Sequence, residues 1–94
     1  MNSAPPDSRL FVIDFMGGDL PFLRADQPVE GVINSSSGQL STPVVQKNDE
    51  TGGWRLFFDF TPDGDKPADI RCFLRMREHV LTETWNYLWT RASY

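Results

Sequence analysis

Residues 68–89 contain the pattern that most restricts the fold, because apolar and polar residues alternate there with a period of two. One side of an extended chain would carry Ala68, Ile70, Cys72 and Leu74, and the other side Asp69, Arg71, Phe73 and Arg75. Such alternation is typical of a β-strand with one buried face. The run Val80–Trp89 is rich in Thr, Trp, Tyr and Leu, which favour strands. Because only Arg77, Glu78 and His79 form a polar tip between the two runs, the sequence predicts an antiparallel hairpin.

Four further segments have the composition of strands and are separated by turn residues. They are Arg9–Phe15, Val29–Ser35, Gln39–Gln46 and Trp54–Thr61. The last alternates most clearly, with four large apolar residues on one face, and is predicted as the central core strand. The first is nearly continuously apolar, which predicts that both faces are covered or that it lies near a boundary. Because Pro43 lacks a backbone donor, we expect the third strand at an edge or a bulge.

These segments together predict an all-β fold: an immunoglobulin-like β-sandwich of about seven short, mainly antiparallel strands. Seven Gly and seven Pro in 94 residues favour many short strands over helices. A chain of this length makes one domain, which we assign to residues 9–94. Residues 1–8 are predicted as a flexible lead-in. Leu20–Gln27 has no clean period and is predicted as a loop that buries Leu20, Phe22 or Leu23.

The charge and hydropathy of the chain argue against several classes of partner. The formal net charge is −4, without the clustered Lys and Arg of a nucleic-acid-binding domain, and it disfavours an anionic membrane surface. No run approaches the roughly 20 apolar residues of a membrane-spanning helix, so membrane insertion is not predicted. Cys72 is the single cysteine, so no disulfide can form within the chain.

Residue types that carry catalysis do not form a recognisable set in the sequence. Asp63-Gly64-Asp65 could be half of a calcium loop, but it lacks the further oxygen ligands, and a turn is the simpler interpretation. His79 has no neighbouring His or Cys and is predicted as a surface residue. Cys72 is predicted as a small apolar filler on the inward face. The sequence therefore predicts no catalytic residue, no metal ligand and no cofactor.

Aromatic and arginine side chains are the remaining candidates for a binding surface. Trp85, Tyr87 and Trp89 lie two residues apart, on one side of the last strand, and Arg71 and Arg75 flank Phe73. One interpretation is that the rings fill the core, because aromatic residues dominate small cores. The alternative is an aromatic–arginine face that docks another domain or stacks on sugar rings. The candidate contact residues are therefore Arg71, Phe73, Arg75, Trp85, Tyr87 and Trp89.

Four stretches of the chain, taken in order, resemble one known family. They are FVIDFMGGDLPFL (Phe11–Leu23), PVEGVINSSSGQL (Pro28–Leu40), TGGWRLFFDFTPDGDKPADIRCFLR (Thr51–Arg75) and LTETWNYLW (Leu81–Trp89). Together they resemble the C-terminal domain of the periplasmic glucans biosynthesis proteins, types G and D, of Gram-negative bacteria. The resemblance covers nearly all of the chain after residue 8.

The resemblance implies an immunoglobulin-like domain packed against a much larger N-terminal domain that carries the glucan-binding cleft. It also implies a periplasmic location and a non-catalytic accessory role in the synthesis of osmoregulated β-1,2-linked glucans, because the catalytic acid of the glucan-cleaving members lies in the larger domain. The expected partners are that domain and β-glucan. Arg71 is expected to pair with Glu83. An independent carbohydrate-binding module with exposed aromatics is the alternative function, and a free-standing enzyme is the least favoured.

Overall fold

Two strands with strict alternation form the centres of two sheets in the computed structural model, which describes residues 7–91. In chain order the strands are β1 (Arg9–Phe15), β2 (Val29–Ser35), β3 (Gln39–Leu40), β4 (Val44–Asn48), β5 (Gly53–Thr61), β6 (Ala68–Met76), β7 (His79–Val80) and β8 (Trp85–Trp89). Within residues 7–91, the 3-10 turn Leu20–Phe22 is the only helical segment. No helix in this part of the chain is long and apolar enough to cross a membrane.

The two sheets follow the same plan. In the β5 sheet, β1 pairs with one side of β5, and β3 and β4 follow one another along the other side. In the β6 sheet, β2 pairs with one side of β6, and β7 and β8 follow one another along the other. Every pairing is antiparallel. The sheets pack face to face, with β2 against β3 and β4, and with side chains of β1 against those of β8.

The core lies between the central strands, and it consists of the residues that the alternation predicts. The inward side chains of β5 are Trp54, Leu56, Phe58 and Phe60, and those of β6 are Ala68, Ile70, Cys72 and Leu74; all eight are buried. The prediction of an all-β sandwich is therefore confirmed, and β5 is a central core strand as predicted. The immunoglobulin-like subclass and the single domain over residues 9–94 stay predictions, and the proposed lead-in lies mostly outside the described residues.

Two of the predicted strands are interrupted, which corrects the sequence interpretation. Gln39–Gln46 splits into β3 and β4 around Pro43, and both pieces lie at the edge of their sheet, as expected for a residue without a backbone donor. The run Val80–Trp89 breaks at Leu81–Thr84. There the Leu74 amide donates to the Thr82 hydroxyl at 3.0 Å, so a side chain takes the place of a ladder carbonyl.

The tip of the hairpin is also shorter than predicted. Met76 pairs with His79, which places His79 in β7 and leaves only Arg77 and Glu78 in the turn. The backbone of Arg77 has a positive φ of 57°, a conformation that costs conformational energy in residues other than Gly.

The turn that follows β1 depends on two glycines with positive φ, Gly17 at 89° and Gly18 at 57°. The Leu20 amide donates to the Gly17 carbonyl at 3.1 Å, and Leu20 is buried in the core. The predicted loop therefore does bury Leu20, whereas Leu23 is half-buried and Phe22 is 83% exposed.

Candidate functional site

The sheet register divides the six candidate contact residues between two opposite surfaces. Residues directly opposite one another in an antiparallel pair have their side chains on the same face. Trp85 lies opposite Cys72, Tyr87 opposite Ile70 and Trp89 opposite Ala68, so the three aromatic residues share the inward face. Arg71, Phe73 and Arg75 alternate with that buried set and share the outer face. The structure therefore brings the candidates together as two groups of three.

The outer surface of the β6 sheet carries two ion pairs around Phe73, together with the exposed Val80 and Leu88. Arg75 Nε donates to Glu30 Oε1 at 3.1 Å, and Arg71 Nη2 donates to Asp69 Oδ2 at 3.3 Å. The expected pair between Arg71 and Glu83 is wrong, because Glu83 lies within the break between β7 and β8 and Arg71 is bound to Asp69 on its own strand. Exposed ion pairs of this kind contribute little to stability.

The inward aromatic residues belong to one cluster that reaches from the core to the edge of the sandwich. Phe11 is its centre: its ring stacks on Phe58 with centroids 5.3 Å apart, and it meets Trp85 edge-on at 6.2 Å and Tyr87 edge-on at 5.7 Å. Trp89 is buried, Trp85 is half-buried and Tyr87 is exposed. Trp89 therefore fills the core, as the first interpretation predicted, whereas Trp85 and Tyr87 lie at the open edge between β1 and β8.

A cleft of about 460 Å³ opens at this edge, beyond the aromatic cluster. One wall is the end of β1 with the Gly17-Gly18 turn, and the other is the Leu81–Thr84 segment with Trp85. The lining residues are Asp14, Phe15, Met16, Gly17, Gly18, Leu81, Thr82, Glu83, Thr84 and Trp85. Apart from Trp85, the candidate list contained none of these residues. The available signal was that the FMGGDL and LTETW stretches, which carry the family resemblance, meet here.

Two carboxylates are among the lining residues of the cleft, and one of them is ion-paired. Arg55 donates to both oxygens of Asp14, at 2.8 and 3.3 Å, and these hydrogen bonds hold the pKa of the Asp14 carboxyl below its ordinary value. Asp14 is therefore ionised at neutral pH. Glu83 is exposed at the opposite wall, and no ion pair within residues 7–91 involves it. Thr82 Oγ1 already accepts the Leu74 amide, which fixes that wall.

A second surface that the candidate list missed is the outer β5 face, which we define as Leu10, Val12, Val44 and Phe57. Val12 and Val44 lie on either side of Phe57 in the sheet register, and Leu10 precedes Val12 on β1. Leu10 is 64% exposed, Val12 51% and Val44 44%. The signal for this surface was the nearly continuous apolar run of β1, which predicted that both faces are covered or that the strand lies near a boundary. In the structure β1 is an edge strand whose outer face is exposed.

The other candidates in the sequence were the acidic turn, the histidine and the cysteine. Asp63-Gly64-Asp65 is a turn held by Arg91, which donates to the Gly64 carbonyl at 3.1 Å and contacts Asp65 Oδ1 at 3.1 Å. His79 is exposed. Cys72 is fully buried, and burial raises the pKa of its thiol to about 11. In the described part of the chain, no group of three His, Cys, Asp or Glu side chains could hold a metal ion.

Comparison with known proteins gives the chain its family. The family model described as "Periplasmic glucan biosynthesis protein, MdoG" matches residues 1–89. The chain is 40% identical over 85 residues to the probable glucans biosynthesis protein D of Shewanella oneidensis, and 43% identical over 84 residues to the glucans biosynthesis protein G of Rhodopseudomonas palustris. These alignments cover 88% and 89% of this chain but only 16% of each relative. The chain therefore belongs to the periplasmic glucan biosynthesis protein family, and it spans about a sixth of the length of these relatives.

Proposed function

We propose that this chain is a non-catalytic accessory domain in the synthesis of periplasmic β-glucans, and that it supports the much larger part of the family protein. The relatives are named for glucan biosynthesis, and the aligned segment is 16% of their length. In this proposal the remainder binds and processes the glucan, as the resemblance implies. The chain would act in the periplasm, the compartment in the family description.

The observation that carries the proposal is the exposed outer β5 face. A sandwich of two sheets usually covers its outer faces with polar residues. On the outer β6 face the ion-paired Arg71 and Arg75 separate the exposed apolar side chains from one another. The outer β5 face instead aligns Val12, Phe57 and Val44 across three strands. A contiguous exposed apolar patch of this kind marks an interaction surface. We assign it to contact with the remainder of the family protein, because interdomain contacts within a chain bury such patches.

The arginines of the outer β6 face are already paired with carboxylates, which makes that face the weaker candidate for docking. Arg75 bonds Glu30 and Arg71 bonds Asp69, so burying them would remove charged groups from water. Such desolvation is costly unless new partners are supplied. The comparison of the two faces therefore favours docking through the β5 sheet. Docking through Arg71, Phe73 and Arg75 is the competing assignment.

The test is a chimera in which this chain replaces the aligned segment of the Shewanella oneidensis protein. Val12→Thr keeps the shape and the strand propensity of the side chain, and Val80→Thr is the matched control, because Val80 is exposed on the outer β6 face. In the isolated chain, each substitution should change the free energy of unfolding by less than about 0.5 kcal/mol. In the chimera, Val12→Thr should cost about 1–3 kcal/mol, because it buries an unpaired hydroxyl.

Equal effects of Val12→Thr and Val80→Thr in the chimera would remove the docking assignment. The non-catalytic part of the proposal is checked separately, by incubating the isolated chain with linear β-1,2-glucan and measuring new reducing ends. Release of reducing ends by the chain alone would contradict it.

A second candidate function, sugar binding by this domain itself, is favoured by a different observation. Trp85 presents a half-buried ring to an open cleft that is also lined by the Glu83 carboxylate and by threonine hydroxyls. That combination is found in binding sites rather than in packed cores.

A further inference from the structure

We propose that the cleft between the end of β1 and the Leu81–Thr84 segment binds a sugar ring of a neutral oligosaccharide. The assignment of the sugar as a glucan rests on the proposed function. The site itself rests on the shape, the aromatic wall and the polar groups of the cleft, and it is separate from the outer β5 face.

The size of the cleft suits a small ligand. Its volume of about 460 Å³ falls within the range of roughly 300–1,000 Å³ that is typical of small-molecule sites. Two segments about 65 residues apart in the chain form its walls, and both are held in place. The Leu20 amide bonds to the Gly17 carbonyl at 3.1 Å, and the Leu81 amide bonds to the Leu74 carbonyl at 2.9 Å. A ligand would therefore meet preformed walls rather than two loose loops.

Trp85 supplies the surface on which a sugar ring would stack. One side of a pyranose ring carries C–H groups and is apolar, so it packs on the electron-rich face of an aromatic ring. Trp85 is positioned by two other rings: Tyr87 is nearly parallel to it at 5.7 Å, and Phe11 meets it edge-on at 6.2 Å. Because the ring is held by neighbours, little rotamer freedom would be lost when a sugar binds.

The polar groups of the cleft match the hydroxyls of a sugar. Glu83 is an acceptor at the exposed wall, and Thr84 carries a hydroxyl that can donate or accept. Asp14 lies at the facing wall, but Arg55 already bonds both of its carboxylate oxygens. A carboxylate accepts stronger hydrogen bonds than a neutral group does. The Thr84 backbone is itself held by Asn86, whose Nδ2 donates to the Thr84 carbonyl at 3.3 Å. The wall formed by Leu81–Thr84 therefore presents polar groups beside the Trp85 ring.

The charge of the cleft decides between ligand classes. Glu83 is its unpaired carboxylate among the described residues, Asp14 is ion-paired with Arg55, and no Lys or Arg is among the lining residues. A phosphate or another anion would be repelled, whereas a neutral polyol would not. A cationic peptide is the remaining competitor, since it could pair with Glu83, but it would make no use of the apolar wall formed by Phe15, Leu81 and Trp85. The geometry thus favours a neutral sugar.

The experiment is an NMR titration of the isotope-labelled chain with a linear β-1,2-linked gluco-oligosaccharide. The three indole N–H signals provide an internal comparison, because Trp54 and Trp89 are buried and lie outside the cleft lining. We expect saturable shifts of the Trp85 indole and of the Gly17, Gly18 and Thr84 amides, with the other two indoles unchanged. The dissociation constant of a one-ring site should lie around 1 mM.

Glu83→Gln tests the polar wall, and Glu78→Gln is the matched control at the exposed hairpin turn. Loss of the charge should weaken binding about fivefold, whereas the control should leave it unchanged. Both positions are exposed, so neither substitution threatens the fold. A titration without shifts, shifts confined to Arg71, Phe73 and Arg75, or equal effects of the two substitutions would each overturn the proposal.

A lysine-rich peptide in place of the sugar separates the two ligand classes. Binding of the peptide and not of the sugar would assign the cleft to cationic ligands and refute the proposal. The outcome is independent of the docking test: loss of sugar binding with an intact Val12 effect would remove this site alone.

Discussion

Gly31 is the position where the distance between the two sheets can be tested most directly. It lies in β2 opposite the buried Leu74, so its Cα faces the other sheet. A Cβ added at Gly31 would overlap Leu56 Cδ1 and would lie 3.3 Å from Val45 Cγ2. Its backbone needs no positive φ, so the missing side chain is explained by the close approach alone.

The expected cost of Gly31→Ala follows from two opposing effects. Overpacking a tight core costs about 1–3 kcal/mol, because neighbouring side chains leave their preferred rotamers. Leu56 is fully buried, so its methyl group can turn away only into other core atoms. Replacing Gly by Ala also lowers the entropy of the unfolded chain, which stabilises the fold by about 0.4–1 kcal/mol. We therefore expect a net loss of about 1–2 kcal/mol.

A double-mutant cycle with Leu56→Ala identifies the cause. Leu56→Ala alone should cost about 2–5 kcal/mol, and it also removes the methyl group that meets the new Cβ. The two changes together should cost at least about 1 kcal/mol less than their sum. Gly64→Ala is the control, because nothing lies within 4 Å of its Cβ position and its φ is 57°. Its cost is backbone strain, which should add to that of Leu56→Ala.

The assay is urea unfolding followed by tryptophan fluorescence, with slopes compared to confirm that the denatured state is unchanged. A Gly31→Ala protein whose free energy of unfolding is unchanged or increased would refute the close approach of β2 to β5. Additive effects of Gly31→Ala and Leu56→Ala would refute the assigned contact.

Three further predictions concern titration and backbone strain. The pKa of Cys72 is raised from 9.0 to about 11, so between these pH values the folded state keeps its thiol proton while the unfolded state loses it. The free energy of unfolding should therefore fall by about 1.4 kcal/mol per pH unit in this range. Cys72→Ala should abolish this component in alkaline urea titrations. Because the pKa of Asp14 is lowered in the folded state, the contribution of Asp14 to stability is present above pH 3.8 and is lost as the pH falls through the lower folded pKa. Arg55→Gln should reduce this acid dependence of the free energy of unfolding. An unchanged dependence on pH would contradict the assigned cause. Arg77→Gly should raise stability by up to about 1 kcal/mol in thermal unfolding, because it relieves a positive φ; a less stable variant would contradict that strain.

Local patterns in the sequence were sufficient for the layers of the fold. Side chains of consecutive strand residues point to opposite faces whatever the partner strand is, so the alternation in β5 and β6 identified the eight buried residues of the core centre. Gly17 and Gly18 marked a turn that needs positive φ. The breaks at Pro43 and at Leu81–Thr84 were harder to place, because the Thr82 hydroxyl that replaces a ladder acceptor is bonded to β6 and not to a sequence neighbour.

The sequence by itself therefore determined that this is an all-β sandwich, which residues share a strand face, and to which family the chain is similar. Only the tertiary structure decided which faces are buried together. Pairing of Trp85 with Cys72 turns the aromatic residues inward and away from Arg71, and a shift of one residue would have turned them outward. The cleft and the outer β5 face likewise exist only because distant strands are paired in one register, and no local pattern encodes that choice.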